Sequence, residues 1–205
     1  NERDYITAYP LDESPYYVVA MTWYADGMRR PGCVWTHSLL IHKDDLIKIT
    51  DFCNLLYLFE VPLTENFESY LTPRAFVEDA KEAATHLSDI GENRAAEVYE
   101  SLLSTTPSFI LSEFTSQQSQ ELLLTLLNYL PTEIMKNKSI CSGTASPRAY
   151  DGKYLSLQFV THDGNAVKYL SNRTTAPWSQ LVGISVVNNR PQLANLIRHY
   201  QDELG

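Results

Sequence analysis

Two apolar runs near the start of the chain give its first clear pattern. Residues 16–24 read YYVVAMTWY and residues 33–42 read CVWTHSLLIH. Runs that are rich in β-branched and aromatic residues and bounded by Pro and Gly are typical of strands. A turn with Pro31 and Gly32 separates them, so the pattern predicts an antiparallel hairpin whose first strand is buried on both faces. Alternation places Cys33, Trp35 and His37 on one face of the second strand.

Helical spacing of apolar residues follows the hairpin. Residues 46–59 predict a helix, or a short turn and then a helix that begins at Asp51. Thr72 and Pro73 are a plausible helix start, so a second helix is expected over residues 72–88. Residues 92–103 and 116–130 predict two more helices, and Pro131 ends the last of them. A short helical turn is expected over residues 132–136.

Strand-like runs return near the end of the chain. Residues 139–143, 154–161 and 166–170 are strand candidates, residues 181–187 are a fourth apolar run, and residues 191–204 predict a closing helix. Segregated strands and helices favour an α+β fold. We expect an antiparallel sheet built from N- and C-terminal strands, with a helical insert over about residues 44–137 and a C-terminal helix. Without a linker or repeat, residues 1–205 are expected to form a single domain. Because the chain opens on Asn1, it is expected to be a fragment of a longer protein.

Composition and charge exclude several functional classes. The 205 residues are 44% hydrophobic and 20% charged, which is globular composition. A net charge of −9 argues against non-specific binding of nucleic acid or anionic lipid, because counterion release needs clustered Lys and Arg. Three widely spaced cysteines, Cys33, Cys53 and Cys141, do not suggest a disulfide framework. Reduced thiols in a cytoplasmic protein are the simpler interpretation of this cysteine usage. No apolar run has membrane-spanning length.

The histidines and cysteines do not predict a catalytic or metal centre. Cys33 and His37 share a strand face, but four strand residues span about 13 Å, too far for a hydrogen bond. His37 and His42 point to opposite faces, and the other histidines are scattered. No catalytic residue, metal or cofactor is therefore predicted. His37 is a polar residue inside an apolar strand, where it serves either as a hydrogen-bonded structural residue or as a ligand or partner contact.

Two polar stretches are candidates for binding. Arg29 and Arg30 are the densest basic spot in this acidic chain, and adjacent guanidinium groups can bind a carboxylate or phosphate. The second stretch has small hydroxyl residues around a glycine, followed by an arginine: Ser142, Gly143, Thr144 and Arg148. Such a turn can expose backbone amides to an anion. It lacks the Lys-Ser/Thr ending of a Walker loop. The structural alternative is a solvated turn for Arg29 and Arg30, and a turn that ends a strand for the second stretch.

Several strings resemble the N-terminal domain, type 1, of GTPase-associated protein 1. They are YPLDESPYY over residues 9–17, AMTW over 20–23 and RPGCVWTHSLLI over 30–41. The string SGTASPR over residues 142–148, with Gly152, Leu155, Leu157 and Gln158 after it, fits the same family. The resemblance implies a bacterial cytosolic protein whose relatives are the first module of three-part proteins. It also implies that the gene lies beside genes for GTPases, MoxR-type ATPases and von Willebrand-type A domains. Such gene clusters are predicted conflict or antiviral systems.

Two hypotheses follow from the residues and the resemblance together. The first is a non-enzymatic adaptor that docks onto a GTPase or another NTPase. Its expected partner-binding residues are Arg29, Arg30, His37, Ser142, Gly143, Thr144 and Arg148. The second is a ligand-sensing or hydrolytic domain with a site between the strands around His37. Recognition of a phage protein by the helical insert is a third, and the sequence leaves the oligomeric state open.

Overall fold

The computed structural model describes residues 4–25, 32–61, 86–162, 164–171 and 174–204. A six-stranded sheet contains β1 (Tyr5–Pro10), β2 (Tyr16–Tyr24), β3 (Val34–His42), β4 (Ser108–Leu111), β5 (Ile140–Thr144) and β8 (Leu157–Val160). Between β5 and β8, the strands β6 (Ala149–Tyr150) and β7 (Lys153–Tyr154) form a separate small hairpin. The strand order is β3-β2-β1-β5-β8-β4, in which β4, β8 and β5 run parallel and the other neighbours antiparallel. The expected α+β fold is confirmed, and the sheet is mostly antiparallel. The expected helical insert over residues 44–137 is not purely helical, because β4 lies within it and adds a parallel strand to the sheet.

The predicted N-terminal hairpin is present as β2 and β3. Met21 lies opposite His37 and Trp23 opposite Trp35 in a regular antiparallel register. The middle of β2 is buried on both faces, as expected. Its other neighbour is β1, a strand that the sequence analysis did not predict. β1 pairs with β2 on one side and with β5 on the other, so it joins the two ends of the chain.

The helices are α1 (Glu92–Leu103), α2 (Ser116–Leu127), α3 (Thr132–Met135), α4 (Pro177–Val187) and α5 (Gln192–Leu204). The bounds of α1 are those that the apolar spacing predicts. Thr115 and Gln118 form a capping box at the start of α2. Residues 46–59 fold as two 3₁₀ helices, Lys43–Lys48 and Phe52–Leu58, and the Asp51 side chain caps the second. Most of the helix expected over residues 72–88 lies outside the described residues.

One predicted strand is wrong, and one apolar run that had no assigned structure is a helix. Residues 166–170 were expected to form a strand, but Asn165–Tyr169 is a 3₁₀ helix. Ser171 instead occupies the outer edge of β4, donating its amide to the Phe109 carbonyl oxygen at 2.8 Å and accepting the Phe109 amide at 3.1 Å. The apolar run 181–187 belongs to α4, which starts on Pro177. Periodicity alone does not distinguish a buried helix from a buried strand, and Pro at the first position favours a helix.

One face of the sheet packs against the helices and forms the main core. Its side chains include Ile6 of β1, Val19 and Met21 of β2, Ile140 of β5 and Phe159 of β8. The same hydrophobic cluster contains residues of α1, α2 and α4. Burying each large apolar side chain stabilises the fold by about 1.5–3 kcal/mol. Residues of the N-terminal strands, the helices and the later strands therefore share one hydrophobic cluster.

Candidate functional site

Six strand ends meet at one end of the sheet. β1 and β3 begin there, whereas β2, β4, β5 and β8 end there. Ala25 and Gly32 flank residues 26–31, and the Ala25 amide donates to the Cys33 carbonyl oxygen at 2.9 Å. Arg29 and Arg30 themselves lie outside the described residues. The strands that flank them nevertheless reach the same end of the sheet as the carboxyl end of β5.

Arg148 is a half-buried cation at this end of the sheet. Its guanidinium carbon lies 4.2 Å from the centre of the Tyr5 ring, a cation–π contact. Its Nε donates to Thr144 Oγ1 at 3.4 Å. The Thr144 hydroxyl also accepts the Ser146 amide at 3.3 Å and donates to the Ser146 carbonyl oxygen, which closes the turn after β5. The guanidinium group is thus held between the start of β1 and the end of β5.

Gln158 fixes the backbone of Arg148. Its Oε1 accepts the Arg148 amide at 2.7 Å, and its Nε2 donates to the Arg148 carbonyl oxygen at 2.9 Å. The Gln158 side chain thus pairs with both backbone groups of Arg148, as the backbone of a neighbouring strand would. Gln158 is fully buried. The sequence analysis gave it no structural role, although a polar residue inside an apolar strand is a signal that a buried partner exists.

We call residues 142–148, together with Tyr5 and Gln158, the β5 end. Within it, the buried Ser142 Oγ accepts the Ile6 amide at 2.8 Å and so ties β5 to β1. A Cβ atom at Gly143 would lie 3.6 Å from Tyr5 Cβ, an ordinary contact, so sterics do not require the glycine. A cavity of about 10 Å³ adjoins Ser142 and Gly143. It has the volume of one water molecule, which is too small for a metabolite.

Burial changes the titration of two groups near the β5 end. It raises the pKa of the Asp4 carboxyl, and a hydrogen bond to the Tyr24 backbone opposes the shift. Burial also raises the pKa of the Cys141 thiol, although Arg148 partly opposes this. A protonated, buried thiol is a poor nucleophile. Cys141 is therefore a packing residue of β5.

His37 lies away from the β5 end. It sits on β3, three strand spacings or about 14 Å from β5. Since it is opposite Met21, its side chain is on the core face, whereas Tyr5 is opposite Thr22 on the other face. The imidazole is 8% exposed, its Nδ1 accepts the Glu60 amide at 3.1 Å, and its ring meets the Phe59 ring edge-on at 5.6 Å. Of the expected binding residues, the structure brings together Ser142, Gly143, Thr144 and Arg148, but not His37.

The described residues contain neither a candidate metal centre nor a helix that could span a membrane. In that part of the chain, no group of three His, Cys, Asp or Glu side chains could hold a metal ion. Among the same residues, every helix is too short or too polar to cross a membrane.

Comparison with known proteins bears on the strands that form this end of the sheet. The family model of GTPase-associated protein 1, N-terminal domain type 1, matches residues 1–59. The expected resemblance to GTPase-associated protein 1 is confirmed for this segment, which contains β1, β2 and β3. Residues 142–158, the second stretch that resembles the family, lie outside the match. No curated protein and no solved structure matches the chain.

Contacts between β1 and β5 join the matched segment to the second stretch, residues 142–148. Tyr5 and Ile6 belong to the matched segment, and they contact Arg148 and Ser142 of the second stretch. The β5 end therefore packs directly against the first strand of the matched segment.

Proposed function

We propose that this chain is a non-enzymatic adaptor module of a bacterial conflict system directed against viruses. It acts in the cytoplasm and docks onto a GTPase or another NTPase, such as a MoxR-type ATPase. The match of residues 1–59 to a domain of a GTPase-associated protein is the observation that supports this most directly.

The β5 end, with Arg29 and Arg30, is the proposed docking surface. Arg148 is held by Tyr5, Thr144 and Gln158, so it loses little conformational freedom when a partner binds. A pre-ordered guanidinium group suits the carboxylates of an acidic partner segment. β2 ends and β3 begins at the same end of the sheet as Arg148, so we include Arg29 and Arg30, which follow β2 in the sequence, in the proposed surface.

The chemistry of the β5 end favours recognition over catalysis. Its buried polar groups hold the turn together, since Ser142 bonds β1 and Gln158 bonds Arg148. The adjoining cavity has room for one water molecule. A surface of this kind presents a rigid contact to a protein partner.

Direct binding measurements test the adaptor proposal. The NTPases encoded beside this protein are immobilised with GTP, GDP or ATP, and binding of the full chain is followed by biolayer interferometry. Arg148→Ala should weaken binding at least about tenfold, as expected for a central arginine contact. Arg190→Ala removes an exposed arginine beyond α4 and is the matched control. Equal affinity of wild type and Arg148→Ala would reject the surface, and failure of every NTPase to bind would reject the adaptor role.

A cavity on the core face of the sheet favours ligand sensing as a second candidate function; His37 does not line it, but its ring contacts Phe59, which does. It has a volume of about 400 Å³ and is lined in part by Met21, Trp23 and Phe59. Small-molecule sites commonly have this size and apolar lining. Because His37 Nδ1 already accepts the Glu60 amide, that nitrogen is not available as a base, so sensing is favoured over hydrolysis. Native mass spectrometry should then find a small molecule bound to the wild type and lost in Trp23→Ala; an unliganded wild type would count against sensing.

A further inference from the structure

A second and larger cavity, of about 620 Å³, lies among the helices. Its described lining comes from the start of the second 3₁₀ helix, the end of α2 and the turn between α4 and α5. Small-molecule sites commonly have a volume in this range. The cavity has no described lining residue in common with the β5 end, so a ligand here is independent of NTPase docking.

Asp51 presents an oriented carboxylate to this cavity. Its Oδ1 accepts the Cys53 amide and Asn128 Nδ2, each at 3.0 Å. The buried Asn128 is itself held in place, since its Oδ1 accepts the Phe52 amide at 3.0 Å. Within the described ranges, no group donates a hydrogen bond to Asp51 Oδ2. Because Asp51 is partly exposed and lines the cavity, this second oxygen is open to a donor on a bound molecule.

The charge of the cavity favours a cation. Among the described lining residues, Asp51 is the only one with a formal charge. Burial raises the pKa of the Cys53 thiol and of the Tyr129 hydroxyl, and the charge of Asp51 adds to both shifts. Both groups are therefore neutral and do not compensate the carboxylate. A protonated amine balances this charge and donates an N–H to Oδ2, which makes a charge-assisted hydrogen bond.

Neutral polar side chains line the cavity beside Asp51. Asn189, just after α4, and Asn195, in α5, are both exposed. Each side-chain amide can donate and accept hydrogen bonds, as a hydroxyl group can. A purely apolar amine would displace water from these amides without replacing its hydrogen bonds. Hydroxyl groups on the ligand would replace them.

We propose that this cavity binds a small molecule that carries a protonated primary amine and several hydroxyl groups, such as an amino sugar. The ammonium group bonds to Asp51 Oδ2, and the hydroxyl groups bond to the side chains of Asn189 and Asn195. Asn128 positions the carboxylate. A neutral sugar lacks the charge that Asp51 requires, and Asp51 repels an acidic sugar.

Glucosamine and its analogues test the ligand class on the full chain. In a ¹H–¹⁵N NMR titration at about pH 6, where amines are protonated, glucosamine should bind with a dissociation constant of about 1 mM or lower. Glucose and N-acetylglucosamine keep the hydroxyl groups but lack the charge, so they should bind at least about tenfold more weakly. Butylamine keeps the charge but lacks the hydroxyl groups, and it should also bind more weakly.

Asp51→Asn tests the carboxylate without removing its structural bonds. Asparagine keeps Oδ1 as the acceptor for Cys53 and Asn128, and it is a good residue at a helix start. This variant should bind glucosamine at least about tenfold more weakly with unchanged circular dichroism. Asp44→Asn is the matched control, because it makes the same change in the other 3₁₀ helix at a side chain that is 90% exposed. Asn195→Ala should weaken binding about threefold or more.

The same titration locates the ligand. The side-chain amide signals of Asn189 and Asn195 should shift as glucosamine is added. Three results would overturn the proposal: no binding of glucosamine at about 10 mM, equal affinity for glucose and glucosamine, or equal affinity of wild type and Asp51→Asn. Shifts confined to residues outside the cavity would also overturn it. Each of these results leaves NTPase docking at the β5 end intact, since Arg148→Ala tests that docking separately.

Discussion

Arg148 gains its fixed position from residues far from it in the sequence. Locally it follows a loop of small polar residues, which is compatible with a mobile surface turn. Its ring contact comes from Tyr5 of β1, and its backbone partner is Gln158 of β8. The buried Gln158 amide is satisfied only while Arg148 stays in place, because an unpaired buried amide is costly. The buried Gln158 side chain therefore holds the backbone of Arg148, and with it a cation near the surface, in one position.

The three cysteines provide a prediction at the residue scale. Cys53 and Cys141 are buried, and burial raises the pKa of both thiols, whereas Cys33 is partly exposed. A raised pKa keeps a thiol protonated and unreactive at pH 8. In the native protein, Ellman's reagent should therefore modify Cys33 rapidly and the other two slowly. All three should react in guanidinium chloride.

Substitution of Cys33 provides the control for this labelling. Cys33→Ser should remove the rapid phase and leave the slow phase unchanged. Rapid modification of Cys53 or Cys141 in this variant would show that their strands and helices open readily to solvent.

At the scale of elements, α1 and α4 form a closely packed helix pair. Glu100 of α1 accepts the Ala176 amide at 3.1 Å and the Ser179 hydroxyl at 2.6 Å, so it caps the start of α4. Near the other end of α4, Asn188 Nδ2 donates to Glu92 Oε1 at 2.8 Å. Between these bonds, Gly183 lets the two backbones approach. A Cβ atom at position 183 would lie 2.9 Å from the Ala96 nitrogen and closer still to the Glu92 carbonyl oxygen.

The Gly183 contact predicts a large effect of a small substitution. Gly183→Ser should lower the free energy of unfolding by about 2 kcal/mol or more, because overpacking displaces one helix from the other. Urea denaturation measures this change. Gly91→Ser is the matched control, since a Cβ atom there has no neighbour within 4 Å and serine is a good residue at a helix start. It should change the free energy by no more than about 0.5 kcal/mol. Equal effects of the two variants would show that the helices separate easily.

The sequence predicted those helices and strands that are determined by their own residues. The β2–β3 hairpin and α1 follow directly from their apolar spacing, and Asp51 marks the start of a 3₁₀ helix as expected. β1 pairs with the neighbouring β2 along its whole length, but it was missed because its sequence, YITAYP, is short, carries two polar or small residues between its apolar ones and ends on a proline. The apolar run in α4 was ambiguous until its packing on α1 was known. For the same reason, the sequence named Arg148 as a candidate but could not show that Tyr5 and Gln158 hold it.

At the scale of the whole molecule, the segment that matches the family is not a separate unit. Residues 1–59 contain β1, β2 and β3, but β1 also pairs with β5. The Ile6 amide bonds to Ser142, and the Tyr17 hydroxyl donates to the Lys138 carbonyl oxygen at 2.9 Å. The core side chains of these strands pack against α2 and its neighbours. The later part of the chain thus completes the sheet and covers its apolar face.

This dependence predicts that the matched segment does not fold alone. A fragment of residues 1–61 would leave Ile6, Val19 and Met21 without the helices that bury them in the complete chain. A 60-residue domain buries only about 60% of its unfolded surface even when its core is complete. The fragment should therefore show the narrow amide dispersion of an unfolded chain in a ¹H–¹⁵N NMR spectrum, whereas the full 205-residue chain should show wide dispersion. Wide dispersion in the fragment would mean that the contacts of β1 with β5 contribute little to folding. The β5 end would then form by docking of two units that fold separately.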